Sequence, residues 1–282
     1  SYERSQDTSK GSVYRERVSR GYTAAMGLLN TVNIAGERID NRYYNIEQYY
    51  TKHDWGRLYN TKNSYGLQTL PSACRDAALA GLVNLDLETA VFAYYKKLAT
   101  LLGVPTPISL DEMLENKTRW RKAVASSLTH SNIDDDYKIQ LVKQATTALG
   151  FGAQKGSHGS IAKIIYHAKD RDAFEQHPWV LELIQLKKDL VNALKLQPDF
   201  KQDCKENPSL LHKNNSVNWN KALAFIYQNE ESKIIQTIKS VCDERGVHIH
   251  LYLHDGIYVD ASYKTDGLAP IVEKQLKQEF HA

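Results

Sequence analysis

Apolar side chains recur three or four residues apart near the N-terminus, and this period predicts that residues 12–50 are helical. The positions that carry it are Tyr14, Val18, Tyr22, Met26 and Leu29. Residues 51–75 contain turn-forming residues and no sustained period, which predicts an ordered irregular connection. We therefore expect residues 1–70 to form a helical N-terminal lobe together with its connection.

A strand followed by a long helical region is predicted for the middle of the chain. Leu82–Leu87 is a short apolar run suited to a buried strand, Ala90–Leu102 has the period of a helix, and residues 109–200 are mostly helical. One of these helices has clear ends, because three aspartates at 134–136 favour an N-terminus and Gly150 favours a C-cap.

The C-terminal part returns to strands after one more helix. A loop at 205–215 is followed by a predicted helix at 222–242. The segment VHIHLYLHDGIYVD then predicts two strands joined at a tight turn, with Gly256 giving the turn its conformational freedom. A last amphipathic helix is expected at about 265–280. The fold class predicted from these patterns is α+β, mainly helical, with a small antiparallel sheet.

Composition narrows the class of protein. The chain has 282 residues, of which 42% are hydrophobic, so it can bury a substantial core. No apolar run reaches the length of a membrane span and the N-terminus is polar, which predicts a cytoplasmic protein without a membrane partner. Three cysteines without paired spacing argue against a disulfide framework. Seventeen tyrosines suit either stacking on bases or the filling of irregular loops.

Two kinds of metal site are possible near the C-terminal hairpin. His248, His250 and His254 share one strand face, but His250 and His254 are about 13 Å apart at strand rise, too far for one zinc ion unless the strand bends. Asp86 and Asp255 are a better pair, because two carboxylates from distant segments can hold two Mg²⁺ ions. The simpler alternative is that Asp86 caps the next helix and Asp255 suits a turn.

A helical stripe lies between these carboxylates in the sequence. Lys143, Thr147 and Phe151 are four residues apart and share one face of a helix. The lysine could grip a triphosphate while the aromatic ring packs against the incoming nucleotide. A surface lysine beside a core phenylalanine is the alternative.

These segments resemble the motifs of phage-type single-subunit RNA polymerases and of their relatives, the family A DNA polymerases. Lys143-x7-Phe151-Gly152 resembles the fingers-helix motif, His254-Asp255-Gly256 resembles the third motif on a palm hairpin, and LVNLDLETAVFAYY with Asp86 resembles the first palm motif. The segment DWGRLY, residues 54–59, resembles the Asp-x-x-Gly-Arg-Val-Tyr segment before the palm, shortened by one residue. The four matches follow the family's order.

The resemblance implies a right-hand polymerase with a palm from residues 71–108 and 216–282 and helical fingers from residues 109–215. It implies that Asp86 and Asp255 are catalytic and hold two Mg²⁺ or Mn²⁺ ions. The residues implied to bind the nucleotide substrate are Lys143, Thr147, Phe151, Gly152, Val91 and His254, and His254 would also orient the hairpin turn. The candidates for contacting nucleic acid are Arg57, Tyr59, Arg119, Arg121 and Lys155.

The chain departs from the family's pattern at three positions. The family's arginine four residues before the fingers lysine is Ile139 here, so phosphate binding would fall to other cations such as Lys138. Val91 stands where similar DNA polymerases carry a glutamate that clashes with a ribose 2′-OH, which favours ribonucleotides. Phe151 replaces a tyrosine and so lacks a hydroxyl near the sugar, which weakens discrimination.

Three functions follow as hypotheses. The first is a template-directed RNA polymerase or primase that uses nucleoside triphosphates and a nucleic acid template, more readily DNA, in phage-like or other mobile-element replication or transcription. The second is a family A-like DNA polymerase that uses dNTPs. The third is a catalytically silent nucleic-acid-binding module that acts with a replication partner protein.

Overall fold

The computed structural model describes residues 11–39, 44–52, 57–61, 66–265 and 267–280. Contacts between residues divide the chain into two compact units. Residues 1–87 and 228–282 form one, the sheet unit, and residues 88–227 form the other, the helical unit. The boundaries expected at residues 70, 108 and 215 stay a prediction.

The fold is mainly helical with small antiparallel sheets, which confirms the predicted α+β class. No helix in the described ranges is long and apolar enough to cross a bilayer. The helices are α1 (Gly11–Ala35), α2 (Ser72–Ala78), α3 (Ala90–Leu102), α4 (Ile108–Glu115), α5 (Lys117–Ala125), α6 (Asp135–Gly150), α7 (Ala168–Gln176), α8 (Pro178–Lys195), α9 (Pro198–Glu206), α10 (Trp219–Glu244), α11 (Ser262–Thr265) and α12 (Leu268–Phe280). The strands are β1 (Glu37–Arg38), β2 (Tyr44–Asn45), β3 (Tyr50–Lys52), β4 (Leu58–Asn60), β5 (Leu82–Asp86), β6 (Ile249–Tyr252) and β7 (Gly256–Asp260).

The helical unit packs its helices around one apolar core. Trp120, Tyr95 and Phe174 are the largest of its fully buried side chains. The helix predicted from the aspartates and Gly150 is α6, and its start is confirmed, because the carboxylate of Asp134 accepts a hydrogen bond from the N–H of Tyr137 at 2.7 Å.

The main sheet of the sheet unit has the order β5-β7-β6, with both pairings antiparallel. Side chains alternate between the two faces of its central strand, β7. Ile257 and Val259 belong to an apolar cluster with α10 and α12, whereas Tyr258 belongs to another with Leu28 and Leu70. Because both faces are covered, β7 is buried along nearly its whole length.

The N-terminal helix is shorter than the predicted 12–50. It ends at Ala35, and the N–H of Gly36 donates to the carbonyl of Val32 at 2.9 Å. A Cβ at Gly36 would lie 2.5 Å from that oxygen, so glycine fits this end of the helix. The short strands β1 and β2 and the first residue of β3 follow where helix was expected. Residues 51–75, expected to be irregular, contain the rest of β3, all of β4 and the start of α2.

Candidate active site

The two carboxylates predicted to hold metal ions lie at the same end of the main sheet. Asp86 is the last residue of β5 and stands opposite Gly256 in the β5–β7 ladder. The N–H of Leu87 donates to the carbonyl of Asp255 at 2.7 Å. Opposite Cα atoms of an antiparallel pair are about 5 Å apart, so the backbone itself brings Asp86 and Asp255 together. Both residues are exposed.

Gly256 is required by the spacing of the strands. It is not among the residues with positive φ, so the expected conformational freedom at the turn is not its role. A Cβ at this position would lie 2.6 Å from the carbonyl oxygen of Leu85 and 3.1 Å from the Cα of Asp86. Only glycine therefore lets β7 approach β5 closely enough to pair at the residue beside Asp255.

The turn before Asp255 is supported by the segment that contains β4. The ring of His254 lies 4.4 Å, centroid to centroid, from the ring of Tyr59. Burial lowers the pKa of His254 and the charge of Arg57 lowers it further, while Asp255 and the backbone of Leu58 oppose these effects. His254 is therefore a partly buried ring beside the candidate catalytic turn, and its surroundings favour the neutral form.

Arg57, predicted to contact nucleic acid, makes a buried ion pair. Its Nε donates to Oε2 of Glu231 at 2.5 Å, and its Nη2 contacts the same oxygen. The side chain of Glu231 is 1% exposed. Asp54, Trp55 and Gly56, which complete the motif that contains Arg57, lie outside the described residues.

The chemistry of the sheet end fits divalent cations that prefer oxygen. In the described ranges, no three His, Cys, Asp or Glu residues are grouped to hold a metal ion, which is contrary to the zinc alternative. His250 instead contacts Asp260, with Nε2 and Oδ1 3.2 Å apart. Mg²⁺ typically binds one or two carboxylates and completes its shell with water and substrate phosphate, so Asp86 and Asp255 are a suitable donor set.

The lysine stripe lies on α6 in the helical unit. Lys143 and Thr147 are both exposed and one helical turn apart. Phe151 follows the last residue of α6 as its C-cap and is partly buried, and its ring meets the ring of Tyr227 edge to face at 5.6 Å. Ile139, which replaces the family's arginine, packs against the apolar core.

The C-terminal end of α6 is a Schellman motif. The N–H of Gly152 donates to the carbonyl of Leu149 at 3.0 Å, and the N–H of Ala153 donates to that of Ala148 at 2.9 Å. Gly152 has a φ of 89°, which favours glycine. Gly152, rather than the predicted Gly150, is thus the capping glycine.

Two side chains from other helices also bind this helix end. The hydroxyl of the buried Tyr95 donates to the carbonyl of Gly150 at 2.6 Å, and the ammonium of Lys187 donates to the carbonyl of Leu149. Burial lowers the pKa of Lys187 to about 8. A cation at a helix C-terminus also interacts favourably with the helix dipole.

Val91, predicted to lie near the nucleotide sugar, is 6% exposed and belongs to the core of the helical unit. A Cβ at Gly150 would lie 3.0 Å from Cγ1 of Val91. Gly150 therefore allows α6 to pack closely against α3.

The remaining candidate cations lie on α5 and in the loop after α6. Nη1 of Arg119 lies 3.7 Å from Oε2 of Glu112. Burial lowers the pKa of Arg121, and the nearby Glu88 opposes this shift. Lys155 is exposed. Their contact with nucleic acid stays a prediction.

Sequence reasoning missed Glu231, Tyr95 and Lys187. Glu231 had a detectable signal, because it lies on the same helical stripe as the buried Tyr227 and Ile235. A charged residue in a buried stripe indicates a specific partner. Tyr95 and Lys187 gave no such signal, since each is also suited to an ordinary amphipathic helix.

Comparison with known proteins shows that the chain is similar in structure to a solved protein. No protein-family model and no curated protein matches the chain. Among solved structures, the POL domain of Pol1 from M. smegmatis, in complex with DNA primer-template and dNTP, matches with a TM-score of 0.60 and 16% identity. The match covers 93% of this chain and 48% of that one, so the chain spans about half the length of this structural neighbour. The chain therefore has a polymerase-like fold.

Proposed function

We propose that the chain is a template-directed nucleotidyltransferase, an RNA polymerase or primase that extends a 3′-OH with nucleotides. The observation that carries the proposal is that Asp86, opposite Gly256 in the β5–β7 ladder, and Asp255, bonded to Leu87, lie at the same sheet end within a polymerase-like fold. In the reaction, the 3′-oxygen forms a bond to the α-phosphorus of the nucleotide and loses its proton to solvent. The bond from that phosphorus to the bridging oxygen breaks, and pyrophosphate leaves.

The carboxylates of Asp86 and Asp255 would hold two Mg²⁺ or Mn²⁺ ions. When bound, such ions favour the attacking alkoxide and neutralise the charge that develops on pyrophosphate. The chain itself positions these carboxylates. The β5–β7 ladder fixes the backbone at Asp86 and next to Asp255, and His254 orders the turn that precedes Asp255. This arrangement needs no covalent nucleophile.

The nucleotide contacts in the proposal come from α6. Lys143 is exposed on this helix and would neutralise triphosphate oxygens, with Thr147 beside it. Phe151 would contact the sugar, and Gly152 would act through the cap that fixes Phe151. The nucleic acid template, more readily DNA, would be contacted by cations such as Arg119 and Lys155.

A primer-extending DNA polymerase is the second candidate, and the likeness to a DNA polymerase domain in complex with primer-template and dNTP favours it. The sugar preference distinguishes the two candidates. Val91 is buried and lacks the carboxylate that opposes ribose in similar DNA polymerases, which supports the use of ribonucleotides. Phe151→Tyr should sharpen sugar discrimination if this side chain lies beside the sugar.

The test supplies Mg²⁺, single-stranded DNA templates with and without primer, and labelled NTPs or dNTPs. We expect template-dependent product from the wild-type chain and a loss of at least a thousandfold in Asp255→Asn and Asp86→Asn, because each substitution removes a metal-binding charge. Asp260→Asn is the matched control, since it changes a carboxylate at the other end of β7.

Normal incorporation by folded Asp255→Asn would contradict the assignment of the metal site. Salt-sensitive DNA binding by the wild type without any Mg²⁺-dependent product would instead favour the silent binding module. Product from NTPs alone would support the RNA polymerase or primase, and product from dNTPs alone would support the second candidate.

A further inference from the structure

We propose that Glu231 is a positioning residue that acts through Arg57 to hold the turn carrying Asp255 in its metal-binding geometry. The catalytic part of this inference rests on the proposed function. Glu231 is a buried carboxylate on a stripe of α10 that also contains the buried Tyr227 and Ile235. A carboxylate is costly to bury unless it is paired, so its place in the core calls for a specific task.

The contact with Arg57 indicates the role of this carboxylate. The guanidinium meets Oε2 of Glu231 through both Nε and Nη2, with Nε at 2.5 Å. Two donors on one acceptor fix the direction as well as the distance of the arginine side chain. Arg57 directly precedes β4, so the pair ties the start of that strand to α10.

β4 in turn contacts the hairpin turn. The ring of Tyr59 lies against the ring of His254, with 4.4 Å between the ring centroids. The residue after His254 is Asp255, whose carbonyl accepts from Leu87. The turn is therefore held by β5 through the backbone and by β4 through His254, and Glu231 anchors the second of these supports.

A merely stabilising ion pair would behave differently from a positioning one. Its removal would weaken all hydrogen bonds of the sheet unit alike, because the whole unit would unfold more often. Loss of a support under the turn should loosen the N–H groups of Leu87 and Leu253, which close the turn onto Asp255 and Gly256. The other end of the same ladder, at Val83, should keep its protection.

The experiment compares Glu231→Gln with Glu230→Gln by amide hydrogen exchange and by steady-state incorporation. Glu230 is the matched control, since it precedes Glu231 on α10 and pairs with Lys233 at 3.4 Å near the surface. In Glu231→Gln we expect protection at Leu87 and Leu253 to fall at least tenfold and protection at Val83 to change less than twofold. We also expect kcat to fall at least tenfold with the nucleotide KM within twofold.

Arg57→Lys keeps the charge but not the Nε donor, and it should show an intermediate loss of amide protection at the turn. If Glu231→Gln fails to fold, the double variant Arg57→Met with Glu231→Leu replaces the pair by apolar side chains, and a buried ion pair can often be replaced in this way without loss of stability. We expect that variant to fold and still to lose protection at the turn. A uniform loss of protection, or a loss no larger than that in Glu230→Gln, would overturn the inference.

The two proposals fail in distinguishable ways. Hydrogen exchange needs no turnover, so it tests the role of Glu231 even if the wild-type chain incorporates no nucleotide. Asp255→Asn should abolish incorporation while leaving protection at Leu253 unchanged. Unchanged protection and unchanged kcat in a folded Arg57→Met, Glu231→Leu variant would reject the positioning role alone.

Discussion

The end of the main sheet and the end of α6 hold their candidate site residues in different ways. At the sheet end, backbone pairing sets the spacing, because Asp86 pairs with Gly256 and Leu87 bonds to Asp255, and the Arg57–Glu231 ion pair adds a side-chain support. At the helix end, side chains from other helices add to the Schellman motif that precedes Phe151. The sheet end should therefore respond most to changes in backbone spacing, and the helix end to the loss of single donors.

Gly256→Ala should produce the largest effect. The added Cβ would lie 2.6 Å from the carbonyl oxygen of Leu85, and backbone cannot give way as a side chain can. We expect a loss of about 3 kcal/mol in the free energy of unfolding, measured by urea denaturation. Gly81→Ala serves as a control, because Gly81 has a φ of 94° but open space around it. It should lose only the conformational strain, about 1 kcal/mol. Equal losses would show that strand spacing does not matter at Gly256.

Tyr95→Phe should have the next largest effect, at the helix end. The variant keeps the buried ring and removes the donor to the carbonyl of Gly150. A buried polar group left unpaired costs about 2 kcal/mol, which urea denaturation would detect. Tyr22→Phe, at a residue 66% exposed, should change stability by less than about 0.5 kcal/mol. Equal small effects in the two variants would argue against a role for the Tyr95 hydroxyl in holding the helix end.

Lys187 should make stability depend on pH. Burial disfavours its charged form, so its pKa in the folded chain is about 8, below the ordinary value of 10.5. Between these values the unfolded chain binds more protons, so stability rises with pH. The cost of the buried charge is fully present below about pH 8 and is relieved as the pH approaches 10.5.

We expect the free energy of unfolding of the wild type to rise by about 1–2 kcal/mol relative to Lys187→Met between pH 7 and 9.5. Parallel urea titrations at the two pH values measure this difference. Lys188→Met is the matched control, because the neighbouring Lys188 is exposed. A difference that stays constant with pH would contradict the burial of the Lys187 charge.

The elements that carry the candidate site were predictable because their signals are local. An apolar run indicated β5, alternation and a turn indicated β6 and β7, and acidic residues marked the start of α6. The joint role of Asp86 and Asp255 was suggested by two carboxylates on distant segments and favoured by the family resemblance, and their metal binding stays a prediction. The β5–β7 register sets Asp86 opposite Gly256 and so places both residues at the same sheet end.

The side-chain contacts that hold the site and the roles of its glycines could not be predicted, because they depend on contacts between distant segments. Tyr95 and Gly150 are 55 residues apart and Arg57 and Glu231 are 174 apart, so no window of the sequence contains both partners. The glycines were misassigned for the same reason. Gly256 is required by a neighbouring strand and Gly150 by Val91, whereas the local pattern suggested a turn and a cap.

The strand order also constrains when the candidate catalytic pair can form during synthesis. β6 and β7 form a local hairpin, but β7 must also pair with β5, and Asp86 and Gly256 are 170 residues apart in the chain. Closing such a long loop is slow, whereas the helical unit, residues 88–227, is complete before β7 leaves the ribosome. A nascent chain should therefore fold its helical unit first and bring Asp86 and Asp255 together only after β7 has left the ribosome.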